Sequence, residues 1–166
     1  MIIHAKTPVR AALKSHQDML KGSRLFQSLL TRLRYEGKPR LGINLRQADR
    51  TFAFLHQVLQ QFSIEETVIF PYWVRHIPRL EPAVRMLQAE QDEFQAGFKK
   101  FERSFRRVEK PKPDGRACNE LWENGMYLFY LLNHYLRAEK RIYETGFKKL
   151  RPDEKKELKK RIQEAS

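Results

Sequence analysis

The chain predicts an all-α protein, an up-down-up-down four-helix bundle with a short fifth helix at the C-terminus. Three observations support this. Four long segments repeat apolar residues every three or four positions, as one face of a helix does. The 7 glycines and 8 prolines are few and gather between those segments. The four segments are long and their connections short, which sets consecutive helices antiparallel. Length is consistent: 166 residues with 41% hydrophobic content suffice for one packed core despite 32% charged residues.

The first helix is expected from about Val9 to Tyr35, with Leu13, Leu20, Phe26, Leu29, Leu30 and Leu33 forming its apolar stripe. Glu36-Gly37-Lys38-Pro39 should end it, glycine as a left-handed cap and proline as a stop. The second should run from about Leu45 to Tyr72. Phe52, Leu55, Leu59, Phe62, Glu65 or Glu66, and Ile69 recur along it, and Pro71 and Pro78 bracket its end. The third, about Glu81 to Val108, carries Val84, Leu87, Gln91, Phe94, Phe98, Phe101 and Phe105. Lys110-Pro111-Lys112-Pro113-Asp114-Gly115 breaks the pattern. The fourth, about Arg116 to Leu150, holds Leu121, Leu128, Leu131, Leu132, Leu136, Ile142 and Phe147. Residues 1–150 thus form the bundle, and 151–166 a charged C-terminal helix lying on its surface.

The segment Gln61-Phe62-Ser63-Ile64-Glu65-Glu66-Thr67-Val68-Ile69-Phe70-Pro71 resembles the His-x-x-x-Glu-Glu…Phe-Pro signature of the hemerythrin (HHE cation-binding) family. Gln61 stands where that family has a histidine. The likeness extends to the other helices. His16, in Leu13-Lys14-Ser15-His16-Gln17-Asp18-Met19-Leu20, resembles the first-helix ligand. Gln91 and Gln95 fall at the third-helix histidine positions. His134 and Glu139, five residues apart, resemble the fourth-helix histidine and second bridging carboxylate. That spacing aligns less well than four on an ideal α-helix, so the pair rests on the family pattern alone.

The resemblance implies a metal centre of His16, Glu65, His134 and Glu139, with Gln61, Gln91 and Gln95 around it. Imidazole is a good donor to iron, zinc and copper, whereas a neutral amide oxygen is weak and hard. Two histidines and two carboxylates suffice for one divalent ion of iron, zinc or manganese, and a full diiron centre is not expected. The alternative is a metal-free site in which the carboxylates, imidazoles and amides form a buried hydrogen-bonded network. The implied role is metal binding or the sensing of metal, oxygen or nitric oxide, ahead of catalysis, for which no nucleophile or substrate pocket stands out. His56 precedes Glu65 by nine residues and faces the other side of the helix. His4, His76 and Cys118 carry no motif.

A net charge of +13 predicts attraction to polyanions or acidic proteins. In the expected topology the first and third connections share one end of the bundle. They would gather Arg32, Arg34, Lys38, Arg40, Arg46 and Arg50 with Lys99, Lys100, Arg103, Arg106, Arg107, Lys110, Lys112 and Arg116 into a basic cap opposite the metal residues. A metal-free interaction protein using this cap to bind an acidic partner or nucleic acid is the rival function, with binding that weakens as salt rises. No apolar run approaches the ~20 residues of a membrane span. No basic n-region precedes an apolar stretch at the start, and a lone cysteine suits a reducing compartment. A cytoplasmic protein is expected; the sequence leaves the oligomeric state open.

Overall fold

The structure, a computed structural model, describes residues 8–35, 41–108 and 115–166, with side chains from 16 to 32, 48 to 108 and 115 to 166. The helices are α1 (Pro8–Tyr35), α2 (Leu41–Ile64), α3 (Phe70–His76), α4 (Glu81–Val108), α5 (Gly115–Lys149) and α6 (Pro152–Ala165). A π-helical turn, Glu65–Ile69, joins α2 to α3, and a 3-10 turn, Pro78–Leu80, precedes α4. The helix α1, the α2–α3 rod, α4 and α5 pack as a closed ring of four neighbours, the expected four-helix bundle. Both breaker segments lie largely outside the described residues.

Each buried stripe follows its helix's period. On α1 it is His16, Met19, Ser23, Phe26 and Leu30, whereas Leu20 lies at the margin and is 37% exposed. On α4 all seven expected positions are buried, from Val84 to Phe105. Aromatic side chains fill the centre in edge-on and tilted pairs: Phe26 with Phe101 at 5.4 Å between ring centroids, Phe52 with Phe105 at 4.9 Å, Phe62 with Phe94 at 5.3 Å. Close approach of α5 to α3 depends on Gly146. A Cβ there would lie 2.9 Å from the Trp73 indole, which is itself fully buried.

The second helix differs most from expectation. It begins at Leu41, continues past Tyr72, and widens into the π turn where a plain α-helix was expected. Pro71 supplies the reason. A proline within a continuous helix lacks an N–H, and its ring clashes with the carbonyl four residues back. Widening the preceding turn relieves that contact: the Phe70 N–H bonds the Glu65 carbonyl, five residues earlier.

At the C-terminus, Pro152 starts α6, and Glu154 Oε2 accepts from the Arg151 N–H at 2.8 Å. Leu158 anchors α6 in the core, while the Tyr72 hydroxyl donates to the Glu154 carbonyl at 2.9 Å. The α6 helix therefore rests against the π turn.

The end of α4 and the start of α5 lie beside the first half of α2. Phe52, early in α2, touches Phe105, late in α4, and Arg107 near the end of α4 pairs with Glu120 near the start of α5 at 2.8 Å. Of the basic residues assigned to the cap, the side chains of Arg34, Lys38, Arg40, Arg46, Lys110 and Lys112 fall outside the described residues. The other eight are all exposed.

Candidate metal centre

At the other end, where α1 and α4 begin and α2 and α5 finish, five helical segments bring polar side chains into the core. The π turn opens with Glu65, whose side chain is wholly enclosed. Gln61, one turn earlier on α2, donates from Nε2 to Glu65 Oε1 at 3.3 Å. From α4, Gln91 Nε2 donates to Glu65 Oε2 at 2.6 Å and approaches the Tyr135 hydroxyl at 2.7 Å. Tyr135, on α5, also donates its hydroxyl to Glu65 Oε2. Tyr143, two turns further along α5, reaches Glu65 Oε1 at 3.4 Å. Between those tyrosines stands Glu139, in hydrogen-bond contact with Glu65. His16 of α1 completes the set, its Nδ1 3.1 Å from Glu139 Oε2.

Electrostatics follow from enclosure. Burial, then the charge and hydrogen bond of Glu139, holds the Glu65 carboxyl well above the ordinary carboxylate range. Burial pushes Glu139 up to about 7. Burial, then Lys140, lowers His16, so its imidazole stays neutral near pH 7. Burial, then the two carboxyl groups, raises Tyr135 and Tyr143, which therefore stay protonated as phenol donors. Among the described residues neither carboxyl has a lysine or arginine partner. Without such a cation, two adjacent enclosed carboxyls hold at least one proton.

The structure therefore brings together His16, Glu65, Glu139, Gln61 and Gln91. It does not bring His134 to them. That side chain is 73% exposed, with Nδ1 3.2 Å from Glu90 Oε1. The cause is the regularity of α5: five residues turn an α-helix through about 140° beyond a full circle, and four only about 40°. The α5 side chain that reaches Glu65 is Tyr135, four residues before Glu139. Gln95 is half-buried and makes no hydrogen bond to the cluster among the described residues. Of the remaining histidines, His56 packs its ring on Phe98 at 5.2 Å, and His76 pairs with Glu154 at 3.2 Å. His4 lies outside the described residues.

The family profile of the hemerythrin HHE cation binding domain matches residues 7–146. The chain belongs to the hemerythrin family. Searches of curated proteins and of solved structures gave no significant match. Membership places this hemerythrin-family chain among cation-binding domains and accounts for the bundle. Among the described residues, however, no three His, Cys, Asp or Glu side chains converge as a ready metal-binding group. His16, Glu139 and Glu65 instead form a line of contacts. The tyrosines have a signal in the sequence, since Tyr135, Glu139 and Tyr143 recur every four residues and so share one face of α5.

Proposed function

We propose that this hemerythrin-family domain binds one divalent cation, iron, zinc or manganese, in an oxygen-rich centre reduced from the family pattern. The observation that carries the reading is the enclosed pair Glu65 and Glu139, touching and without a lysine or arginine partner among the described residues. Two ionised carboxylates match the charge of one divalent cation, and a cation is one of the few partners that makes such burial tolerable.

A second observation points the same way. The side-chain oxygen of Gln91 is buried with no hydrogen-bond partner. An unsatisfied enclosed acceptor is costly, and an amide oxygen is a hard donor suited to a divalent cation. Two carboxylates, one imidazole, a phenol and an amide provide donors for one ion. They hold too little nitrogen for two iron atoms, because a single histidine reaches the cluster.

In this reading Glu65 and Glu139 hold the ion, His16 supplies the nitrogen, and Tyr135 and Gln91 fix the orientation of Glu65. A bound cation supplies the positive charge that lets both carboxylates ionise and, as iron, a point of attachment for a small ligand such as oxygen or nitric oxide. Phe62, whose ring lies 4.6 Å from that of Tyr135, and Trp73, 4.7 Å from Tyr143, back the polar cluster with apolar surface. The domain thus serves as a cation-binding or sensing module.

Elemental analysis of chain purified without chelator or affinity tag tests the reading. The expected content is close to one divalent cation per chain, lost in Glu65→Ala. Two cations per chain, or none after anaerobic loading with iron, would overturn it.

A further inference from the structure

Away from the carboxylate cluster, a pocket of about 170 Å³ opens between α1 and α2. Along α1 its lining runs Gly22, Leu25, Ser28 and Arg32, toward the basic end of the bundle. Phe54 and Arg50 line it from α2. Gly22 creates the floor: the Phe54 ring lies where a side chain would start, its Cε2 only 2.1 Å from the position of a Cβ. Any larger residue at 22 would displace that ring. Leu25 forms an apolar rim and is 71% exposed, the most exposed of the large hydrophobic side chains among the described residues.

Arg106 and Arg107 pair with Glu102 and Glu120. Among the described residues, Arg32 and Arg50 have no acidic partner. Guanidinium groups present planar forks that match a carboxylate through paired hydrogen bonds, and the Ser28 hydroxyl adds a further donor.

The geometry points to a binding site for a small carboxylate with a short aliphatic chain. Its charged end would meet Arg32 and Arg50, and its chain would cover Phe54 and Leu25. Size sets the limit. Each water-sized group fills about 30 Å³, so the pocket holds roughly six heavy atoms, those of a four-carbon acid. A bare phosphate would satisfy the arginines and leave the apolar floor wet. An extended polyanion would follow the exposed basic end without entering the pocket. The site is independent of the cation centre.

Titration of the full-length, nitrogen-15-labelled chain with sodium butyrate at constant ionic strength tests this, read from the amide resonances of Gly22 and Ser28. The expected result is saturable shifts with a millimolar Kd, the range open to so small a ligand. Arg50→Gln should weaken binding at least about tenfold. Leu25→Ser, at an exposed position, should weaken butyrate about threefold and leave acetate unchanged. Inorganic phosphate binding at the same amides as tightly as butyrate would overturn the aliphatic part of the proposal. Linear, non-saturating shifts with butyrate, or equal binding by Arg50→Gln, would overturn the site.

Discussion

Replacing Glu65 with glutamine in the cation-free chain is expected to raise the melting temperature at pH 8 and flatten its dependence on pH. Glu65 titrates well above its ordinary value and Glu139 at about 7, both chiefly through burial. For an acid raised on folding, the native state holds the proton over a range where the unfolded chain has released it. Stability then falls as pH rises from the unfolded value near 4.5 through the folded one. His16 acts oppositely. Its depressed value gives stability that is present above 6.5 and lost as the solution is acidified below that.

The cation-free protein should therefore be most stable in mild acid, and weaker at pH 8, where both carboxyls are pressed to ionise side by side. Glutamine keeps the shape without the charge: its one oxygen can accept from Tyr135 and Gln91, and its amide nitrogen then takes the position that faces Gln61. Neutralising a poorly compensated buried ion is worth about 1–4 kcal/mol, or roughly 3–12 °C in a domain of this size. Thermal melts of chelated wild type and Glu65→Gln at pH 5.5 and pH 8 measure the effect. Parallel pH dependences for the two proteins would mean that Glu65 does not hold its proton in the native state.

The second large effect should come from Trp73→Ala. The indole is fully buried, 4.7 Å from the ring of Tyr143 and 5.7 Å from that of Phe147, and it faces the bare backbone of Gly146. Its removal leaves a cavity between α3 and α5 that rigid neighbours cannot close. Such truncations cost about 3–5 kcal/mol, or roughly 10–15 °C here. The damage should reach the polar cluster, since Tyr143 rests on the indole and also contacts Glu65. Trp73→Phe should lose much less. A loss under about 1 kcal/mol in urea unfolding of Trp73→Ala would show that the region relaxes to fill the space.

The helices were legible because their signals are local. Glu81 to Val108 shows an apolar residue every three or four positions and ends before a proline-rich break, and α4 has those bounds. The π turn has no such signature. Pro71 suggested a helix end, yet the chain absorbed it by widening one turn, a solution stabilised by packing that sequence periodicity does not report. Family pattern and helix geometry agree at His16, Glu65, Gln91 and Glu139, and the structure gathers those four side chains in the core. They part at His134. The five-residue spacing of His134 and Glu139 suits a distorted helix, but α5 is regular here, and Tyr135 takes the inward position. The four-residue repeat of Tyr135, Glu139 and Tyr143 was readable in advance. Tyrosine on an apolar face is ordinarily core packing, and nothing local marks these hydroxyls as facing a carboxylate.

Anomalous diffraction from crystals grown with manganese or zinc tests the central claim most directly, because it locates the ion as well as counting it. One peak per chain is expected, about 2.0–2.2 Å from oxygens of Glu65 and Glu139 and near His16. Two peaks within the bundle, or a peak confined to the exposed His134 and Glu90 pair with none at the carboxylates, would contradict it.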